Sequence, residues 1–287
     1  MKPTATLLPC GMRLHLQHGP IDLIIGADGA ENSRALAFRA ATQRFETVLQ
    51  ELVSELDLLR APLTKGSPRP NGHIANRMHR ATQPYSYTFI TRMAAVAGSV
   101  ADTILAAMVA AIPLNRAYVN NGGDIAIYLT PGTKFAMAMK SYNGKNLGKI
   151  EVLHGQRIGG VATSGRHGRS LSMGIADSVT TLASCAAEAD AAATLVANAV
   201  DLPNDPKILR RAANLIDADS DLGQRPVVIG YKPLSNQDIT KALDYGESVA
   251  HALQTRGKIL GSGLFLKEDM RLLGNSFSRS ERNVIDA

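Results

Sequence analysis

The residues of this sequence best suited to bind an anion form short polar motifs, and the first is Asn121-Gly122-Gly123-Asp124. Glycine permits left-handed backbone angles and lets a ligand approach the main-chain amides. The asparagine and aspartate side chains can hydrogen-bond such a ligand, or they can fix a turn. The motif therefore has two interpretations of equal weight, a ligand-binding loop and a simple hairpin turn.

A second motif of the same kind is Thr163-Ser164-Gly165-Arg166, a glycine-containing turn that follows a predicted strand. Its hydroxyls and backbone amides could face a phosphate, and Arg166 together with Arg169 could neutralise the phosphate charge. A solvated loop explains the same residues equally well.

Oxygen ligands for a hard cation occur on a predicted helix of small residues. Asp190 and Thr194 are four residues apart and therefore share a helix face. A carboxylate and a hydroxyl suit Mg²⁺, which prefers oxygen ligands and keeps phosphates or waters in its shell. Pairs of this kind are common on helices that bind no metal, so the two residues alone do not define a site.

Few side chains are candidates for proton transfer or nucleophilic attack. Asp177 could be a general base or a third oxygen ligand. Ser164 is a poor nucleophile candidate, since the Gly-x-Ser-x-Gly pattern is absent and nothing in the sequence marks His167 as its base. Cys10 and Cys185 are too few for a disulfide scaffold and have no metal-ligand spacing, so a reducing cytoplasm is the expected location.

Composition predicts a globular protein with a mild excess of positive charge: 287 residues, 45% apolar and 20% charged, with a net charge of +6. No acidic residue lies between Asp57 and Asp102, whereas six arginines and lysines do. This stretch could be solvated basic loop, the mouth of a site for a phosphorylated small ligand, or a nucleic-acid surface. The absence of nucleic-acid motifs and of tryptophan disfavours the third. We expect an anionic small-molecule partner and no nucleic acid.

Hydrophobic periodicity predicts an α+β protein, with helices flanking a mixed or antiparallel sheet, in one domain over 1–287. The absence of a βαβ rhythm, of GxGxxG and of a Walker lysine disfavours Rossmann and P-loop folds. Helices are predicted over 32–59, 93–111, 187–200, 206–217 and 236–256. Strands are predicted over 12–17, 21–25, 86–92, 117–120, 125–129, 135–140 and 156–162. A mobile basic loop is predicted over 61–84 and a flexible tail over 276–287.

One predicted helix is long and apolar enough to cross a membrane. Residues 93–112 are 20 residues with a single charge, which is the length of a bilayer crossing. That charge, Asp102, lies at the centre, where a carboxylate is costly, and half of the segment is Gly, Ala or Ser. A buried core helix is the prediction, and no membrane partner is expected.

In their order and spacing, these segments resemble the ApbE superfamily, whose best-known members are FAD:protein FMN transferases. Residues 93–102 are similar to the family's KGyavD helix, and 121–125 are similar to its GGD[IV] loop. Residues 163–165 and 189–194 are similar to its TSG and aDalaT segments. The resemblance covers about residues 86–200 and is greatest to an uncharacterised branch.

The resemblance implies an ApbE-like fold and a flavin site. Gly122, Gly123 and Asp124 would line that site, residues 163–165 would approach the ring or the phosphates, and Asp190 with Thr194 would hold Mg²⁺ near a pyrophosphate. The expected cofactors are FAD or FMN and Mg²⁺. The predicted cofactor-binding residues are completed by Arg92, Gly98 and Asp102, along with Asn121 and Arg166.

Two departures from the family pattern leave the chemistry open. Ala97 stands where the family has the lysine of KGyavD, and residues 172–180 replace the HxxDPxTG motif, with Asp177 the only counterpart. The first hypothesis is an enzyme or enzyme-like ApbE-like protein that binds a phosphate-bearing cofactor, a flavin nucleotide, in a basic cleft. If it is active, it is transferase-like and performs Mg²⁺-assisted nucleotide or FMN transfer. The alternative is a non-catalytic cofactor-binding or accessory protein in sulfur or one-carbon (pterin-linked) metabolism. A homo-oligomer is compatible with either.

Overall fold

A nine-stranded sheet, antiparallel throughout, is the centre of the computed structural model, which describes residues 2–279. The strands are β1 (Thr4–Leu7), β2 (Arg13–His18), β3 (Ile21–Asp28), β4 (Arg116–Asn121), β5 (Asp124–Leu129), β6 (Lys134–Lys140), β7 (Asn146–Leu153), β8 (Gly160–Ser164), β9 (Ser178–Ala183), β10 (Ile208–Ala212), β11 (Pro226–Tyr231), β12 (Gly261–Leu266), β13 (Asp269–Leu273) and β14 (Phe277–Arg279). The order across the large sheet is β1-β2-β3-β4-β5-β8-β9-β12-β13. The α+β class with an antiparallel sheet is thus confirmed.

Helices cover one face of this sheet. They are α1 (Ser33–Val53), α2 (Leu56–Arg60), α3 (His73–Thr82), α4 (Val96–Ala111), α5 (Ala186–Ala199) and α6 (Asn236–Thr255). The four long helices lie side by side in the order α1, α4, α5, α6. Small residues bring α4 and α5 together: a Cβ added to Gly98 would lie 2.2 Å from the Ala186 carbonyl oxygen. The small residues thus let the backbones of α4 and α5 approach each other closely.

A second, three-stranded sheet of β14, β7 and β6 covers part of the opposite face. Strand β8 shows how the large sheet separates two cores, because successive side chains of a strand point to opposite faces. Val161 packs with Ile150 and Val152 of β7, whereas Ala162 packs with alanines of α5. A side chain of β8 therefore faces either the helices or the small sheet.

Elements with strong local periodicity were predicted well. The hairpin of β2 and β3, the strands β4 to β6 and helix α6 form where the sequence places them. The predicted helix over 32–59 is interrupted at Glu55, whose backbone leaves the helical region. The Glu55 carboxylate accepts hydrogen bonds from the backbone amides of Asn71 (2.8 Å) and Gly72 (2.6 Å), just before α3. The long helix therefore breaks at the residue whose side chain caps the start of α3.

Three predicted elements are wrong. The loop over 61–84 contains helix α3, whose apolar residues Ile74 and Met78 are fully buried at helical spacing. The strand over 86–92 is absent, and only Thr91 makes an isolated bridge, to Pro62. The helix over 206–217 is instead β10, because pairing with β11 overrides the helical spacing of its apolar residues.

The apolar segment Arg92–Ala111 is the one candidate span among the described residues, by length and composition. Its buried residues, which include Val100, Ile104 and Met108, belong to the main core, as predicted for a core helix. At the C-terminus, β14 pairs with β7, so 277–279 are strand rather than tail. The rest of the predicted tail, 280–287, lies outside the described residues.

Candidate functional site

The motif at 121–124 is a tight hairpin turn between β4 and β5. Gly122 (φ 65°) and Gly123 (φ 113°) both occupy the left-handed region that a two-residue turn of this kind requires. Asn121 is buried and donates from Nδ2 to the Ala97 carbonyl oxygen at 3.2 Å, which fastens the turn to the start of α4. The hairpin interpretation is therefore right, and it does not exclude ligand binding, because the turn also borders a cavity.

An arginine lies directly against this turn. A Cβ on Gly122 would be 1.9 Å from Nη2 of Arg169, so the guanidinium packs against the glycine main chain. Arg169 also attracts the Asp124 carboxylate, whose Oδ1 accepts the backbone N–H of Thr163 at 3.2 Å. The two predicted motifs, 121–124 and 163–166, thus meet at Asp124.

Two aspartates tie α4 and α5 together at their N-termini. Asp102 of α4 accepts the backbone N–H groups of Ala186 and Ala187, each at 3.0 Å. Asp190 of α5 accepts the backbone N–H of Gly98 at 3.0 Å. Each helix therefore caps the other, and each carboxylate lies at the positive end of a helix dipole. Gly98 and Asp102 are predicted to bind cofactor. In the structure, Gly98 is a donor and Asp102 an acceptor in the hydrogen bonds that join the two helices.

Asp190 of α5 also lies near the hairpin turn, where its carboxyl group experiences the charge of Asp124. Burial raises the pKa of Asp124 to about 7, against the hydrogen bond from Thr163 and the charge of Arg169. Burial, followed by the negative charge of Asp124, raises the pKa of Asp190 well above its ordinary value. Two carboxylates that each disfavour ionisation of the other form a site that a cation would stabilise.

A cavity of about 390 Å³ opens between the large sheet and the small one, beside the turn. Its lining combines apolar side chains with polar ones, among them hydroxyls from β8 and β9. Thr163 and Thr180 are paired there, with 2.9 Å between their Oγ1 atoms. The lining residues are Asn120, Gly122, Gly123, Ile125, Met137, Ala138, Met139, Lys140, Ser141, Tyr142, Leu147, Ile150, Val161, Thr163, Ser164, His167, Gly168, Asp177, Ser178, Thr180 and Phe265. The volume suits a ligand of mononucleotide size.

Asp177, the predicted general base, lines this cavity but is held from several sides. One oxygen accepts from Arg166 Nε at 2.9 Å, and the other accepts the backbone N–H of Lys267 at 2.6 Å. His167 Nε2 lies 3.3 Å from the first oxygen. Gly165 (φ 143°), which directly follows β8, lies close to the segment that precedes β9. A Cβ on Gly165 would be 2.7 Å from the Asp177 carbonyl oxygen.

Contrary to the sequence analysis, the predicted arginines do not all lie at the cavity. Arg166 is paired with Asp177 and donates to the Tyr231 hydroxyl at 3.2 Å, so it supports the cavity wall, and the arginine at the turn is Arg169. Arg92 is fully buried and donates to His79, Leu58 and Pro68, so the structure does not bring it to the cavity. No spacing in the sequence distinguishes a buried arginine of this kind from a ligand-binding one.

Metal ligation must rely on few protein groups. Within residues 2–279, no cluster of three or more His, Cys, Asp or Glu side chains could hold an ion. Asp190, Asp124 and, one helical turn from Asp190, Thr194 supply oxygens only, which fits a cation that keeps waters or phosphates as its other ligands. The donor set therefore fits Mg²⁺ and does not fit a closed zinc site.

Comparisons with known proteins agree with this architecture. The model of the family described as AbpE bacteria matches residues 5–272. A UPF0280 protein of Methanothrix thermoacetophila is 32% identical over 193 residues, 67% of this chain and 77% of that protein. A UPF0280 protein of Methanopyrus kandleri is 31% identical over 157 residues, 54% of this chain and 61% of that protein. The ApbE protein of Thermotoga maritima has a similar fold, with a TM-score of 0.51, 13% identity and coverage of 94% of this chain and 96% of that one.

Proposed function

We propose that the cleft of this protein binds a phosphate-bearing cofactor, a flavin nucleotide, together with Mg²⁺. The chain belongs to the family described as AbpE bacteria, and the proposal starts from that membership. One observation carries the proposal. The Gly122–Gly123 turn borders the cavity between the two sheets, and Asp124, the next residue, lies near enough to Asp190 for its charge to raise the pKa of Asp190. A compartment for a ring and a place for a cation are therefore next to each other.

The flat ring of the ligand fits the cavity itself. Apolar side chains such as Met139 and Phe265 would contact the ring faces, while the hydroxyls of Thr163, Ser164 and Thr180 would meet its polar edge. The lining offers no carboxylate other than Asp177, whose oxygens already accept hydrogen bonds from protein groups. This chemistry favours a neutral heteroaromatic ring over a charged group.

The phosphates fit outside the ring compartment, at the turn. Gly123 has open space beside its main chain, Arg169 lies against Gly122, and Arg169 and Lys140 are the nearby cations. Mg²⁺ held by Asp190 and Thr194, with Asp124 beside them, would supply positive charge to a pyrophosphate. The cation would also relieve the repulsion between the two carboxylates, which is why binding of metal and of phosphate should be cooperative.

Whether the bound nucleotide is transferred separates two versions of this proposal. In the enzyme version, FMN or another nucleotide moiety passes to an acceptor. In the accessory version the cofactor is bound and released unchanged, and the missing HxxDPxTG elements and the engaged carboxylate of Asp177 favour it. The partner is in both cases an anionic small molecule, in the cytoplasm. Arg77 and Arg92 of the basic stretch contact protein groups, which leaves fewer cations for nucleic acid.

The test is to incubate the purified protein with FAD and Mg²⁺ and to measure bound flavin and released AMP. Flavin binding that is lost in Asp190→Ala but kept in Glu188→Ala would support the site. Glu188→Ala is the control, because it also removes a carboxyl group from α5. Released AMP selects the enzyme version, and retained intact FAD selects the accessory version. Absence of flavin binding in the wild-type protein would refute the proposed function.

A further inference from the structure

A second cavity, of about 540 Å³, is lined by residues 87–89, the C-terminal half of α5, helix α6 and the two-stranded sheet of β10 and β11. None of its lining residues lines the cavity between the large sheet and the small one. The second cavity is therefore separate from the compartment proposed for the flavin ring. Its volume is within the range of small-molecule sites.

Apolar side chains from several elements form much of this lining. They include Phe89, Met173, Leu195, Pro226 and Val249. The main chain of Met173 offers nothing to a ligand, because its N–H donates to Oδ1 of Asn198 at 3.0 Å and its carbonyl oxygen accepts from Arg210 Nη1 at 2.6 Å. This part of the cavity suits the hydrocarbon body of a ligand.

The carboxylate of the lining is neutralised within the protein. Both oxygens of Asp201 accept from Nη2 of Arg210, each at 2.6 Å. A charge-assisted pair at this distance satisfies the carboxylate and the nitrogen that it contacts. Asp201 and Arg210 together therefore add no net charge to the cavity.

A second arginine of the lining has no such partner. The guanidinium carbon of Arg225 lies 3.4 Å from the centroid of the Phe89 ring. Within residues 2–279, this guanidinium makes no hydrogen bond and no salt bridge. A guanidinium that lies over an aromatic ring keeps the N–H groups in its plane available for an anion. Arg225 thus gives the cavity a positive charge that no described carboxylate compensates.

An amide adds one more donor. Oδ1 of Asn198 is occupied by the Met173 N–H, which fixes the orientation of the amide. Its Nδ2 has no acceptor among the described residues, so the amide offers a donor and not an acceptor. The other polar side chains of the lining, Tyr87, Thr88 and Asn204, are exposed and uncharged. The unused capacity of the cavity is therefore for an anion that accepts hydrogen bonds.

We propose that this cavity is a second ligand site, which takes a small carboxylate with an apolar body. Arg225 donates to the carboxylate, Nδ2 of Asn198 supplies a further donor, and the apolar lining contacts the hydrocarbon part. A planar carboxylate matches the edge of a guanidinium, and its single negative charge matches the single uncompensated arginine. The site does not depend on the function proposed for the other cavity.

The first experiment titrates phenylacetate into the full-length ¹⁵N-labelled protein and follows the Nε–H signal of Arg225, assigned by comparison with Arg225→Lys. Phenylacetamide, which has the same ring and no charge, is the matched control ligand. We expect phenylacetate to shift this signal with a Kd of about 1 mM or tighter, and the amide to bind about 10-fold more weakly or less. Equal affinity for the acid and the amide would contradict the role of Arg225.

The second experiment changes the two donors. Arg225→Gln should weaken phenylacetate binding about 10-fold or more. Asn198→Asp keeps an acceptor for the Met173 N–H and replaces the donor by a negative charge, so it should also weaken binding. Arg211→Gln is the control, because Arg211 is an exposed arginine of β10 outside the lining. Thermal unfolding of each variant checks that it is folded. Wild-type affinity in folded Arg225→Gln would refute the site.

The remaining outcomes separate this site from the proposed flavin site. We expect Asp190→Ala to bind phenylacetate as wild type does, and FAD not to displace phenylacetate. Displacement by FAD would make the cavity part of the flavin site and overturn the inference. Tighter binding of phenyl phosphate than of phenylacetate would overturn the assignment to a carboxylate. Wild-type protein that binds FAD and fails to bind phenylacetate refutes the second site alone, whereas the reverse result refutes the proposed function alone.

Discussion

Asp102 on α4 and Asp190 on α5 occupy corresponding places, since each accepts backbone N–H groups from the first turn of the other helix. Their neighbours differ. Asp102 lies 3.7 Å from the guanidinium of Arg77, whereas Asp190 is coupled to the carboxylate of Asp124. Burial raises the pKa of Asp102, but its two backbone donors and the charge of Arg77 oppose that change and stabilise the carboxylate. A capped carboxylate beside a second one is ionised at a free-energy cost that an external cation can offset, so one aspartate is structural and the other is a candidate ligand.

The largest effect is expected for Asp102→Ala. Removing this buried carboxylate leaves two backbone N–H groups and the Arg77 guanidinium without their acceptor, and we expect a loss of about 3–5 kcal/mol in the free energy of unfolding. Urea denaturation measures it. Asp102→Asn, which keeps one acceptor oxygen, should lose less. A loss below about 1 kcal/mol in Asp102→Ala would show that the reciprocal caps do not hold the helices together.

Asp190→Asn should behave differently. The change retains an acceptor for Gly98 and removes the repulsion with Asp124, so the metal-free protein should be at least as stable as wild type. What it should lose is stabilisation by Mg²⁺, which for wild type amounts to about 2.7 kcal/mol at a concentration about 100 times the Kd. Thermal unfolding with and without Mg²⁺ measures both quantities. An unchanged Mg²⁺ effect in Asp190→Asn would place the metal elsewhere.

The stabilisation of the wild-type protein by Mg²⁺ should depend on pH. Because burial raises the pKa of Asp124 to about 7, Mg²⁺ must displace a proton below that pH, and its effect on thermal unfolding should shrink from pH 8 to pH 6. The metal-free protein should show the opposite trend. A carboxyl with a raised folded-state pKa costs stability when ionised, so the protein should become more stable as pH falls through 7. A flat profile for both would contradict the carboxylate pair.

A smaller effect is expected where a helix is capped by its own sequence. Ser235 and Asp238 form a capping box at the start of α6, in which Ser235 Oγ accepts the backbone N–H of Asp238 at 3.2 Å. Ser235→Ala should cost about 1 kcal/mol in urea denaturation and should leave the Mg²⁺ effect unchanged. A cost as large as that of Asp102→Ala would remove the distinction between local caps and tertiary ones.

This distinction explains how much the sequence could predict. Helix α6 and the hairpin of β2 and β3 depend on neighbouring residues, and their pattern was sufficient. The turn at 121–124 and the pair Asp190–Thr194 could be recognised as polar motifs, and the structure brings Asp190 near enough to Asp124 for the Asp124 charge to raise the pKa of Asp190. Strand β10 was mistaken for a helix because its partner β11 is remote in sequence.

The rest of the site depends on contacts that no local pattern encodes. Arg166 and Arg169 are three residues apart and have the same side chain, yet only the second lies against Gly122. No local pattern places His167 beside Asp177, and their proximity results from the close approach of β8 to the strand that follows. A glycine followed by closely spaced cations, as at 165–169, was the available signal for this cluster.

The most direct test of the central claim is anomalous diffraction from crystals grown with FAD and Mn²⁺, a cation that takes the same oxygen ligands as Mg²⁺. We predict one strong manganese peak within coordination distance of Asp190 and of ligand phosphate, with the flavin ring between the two sheets beside Thr163. A peak remote from Asp190, or flavin density outside the cavity, would contradict the account.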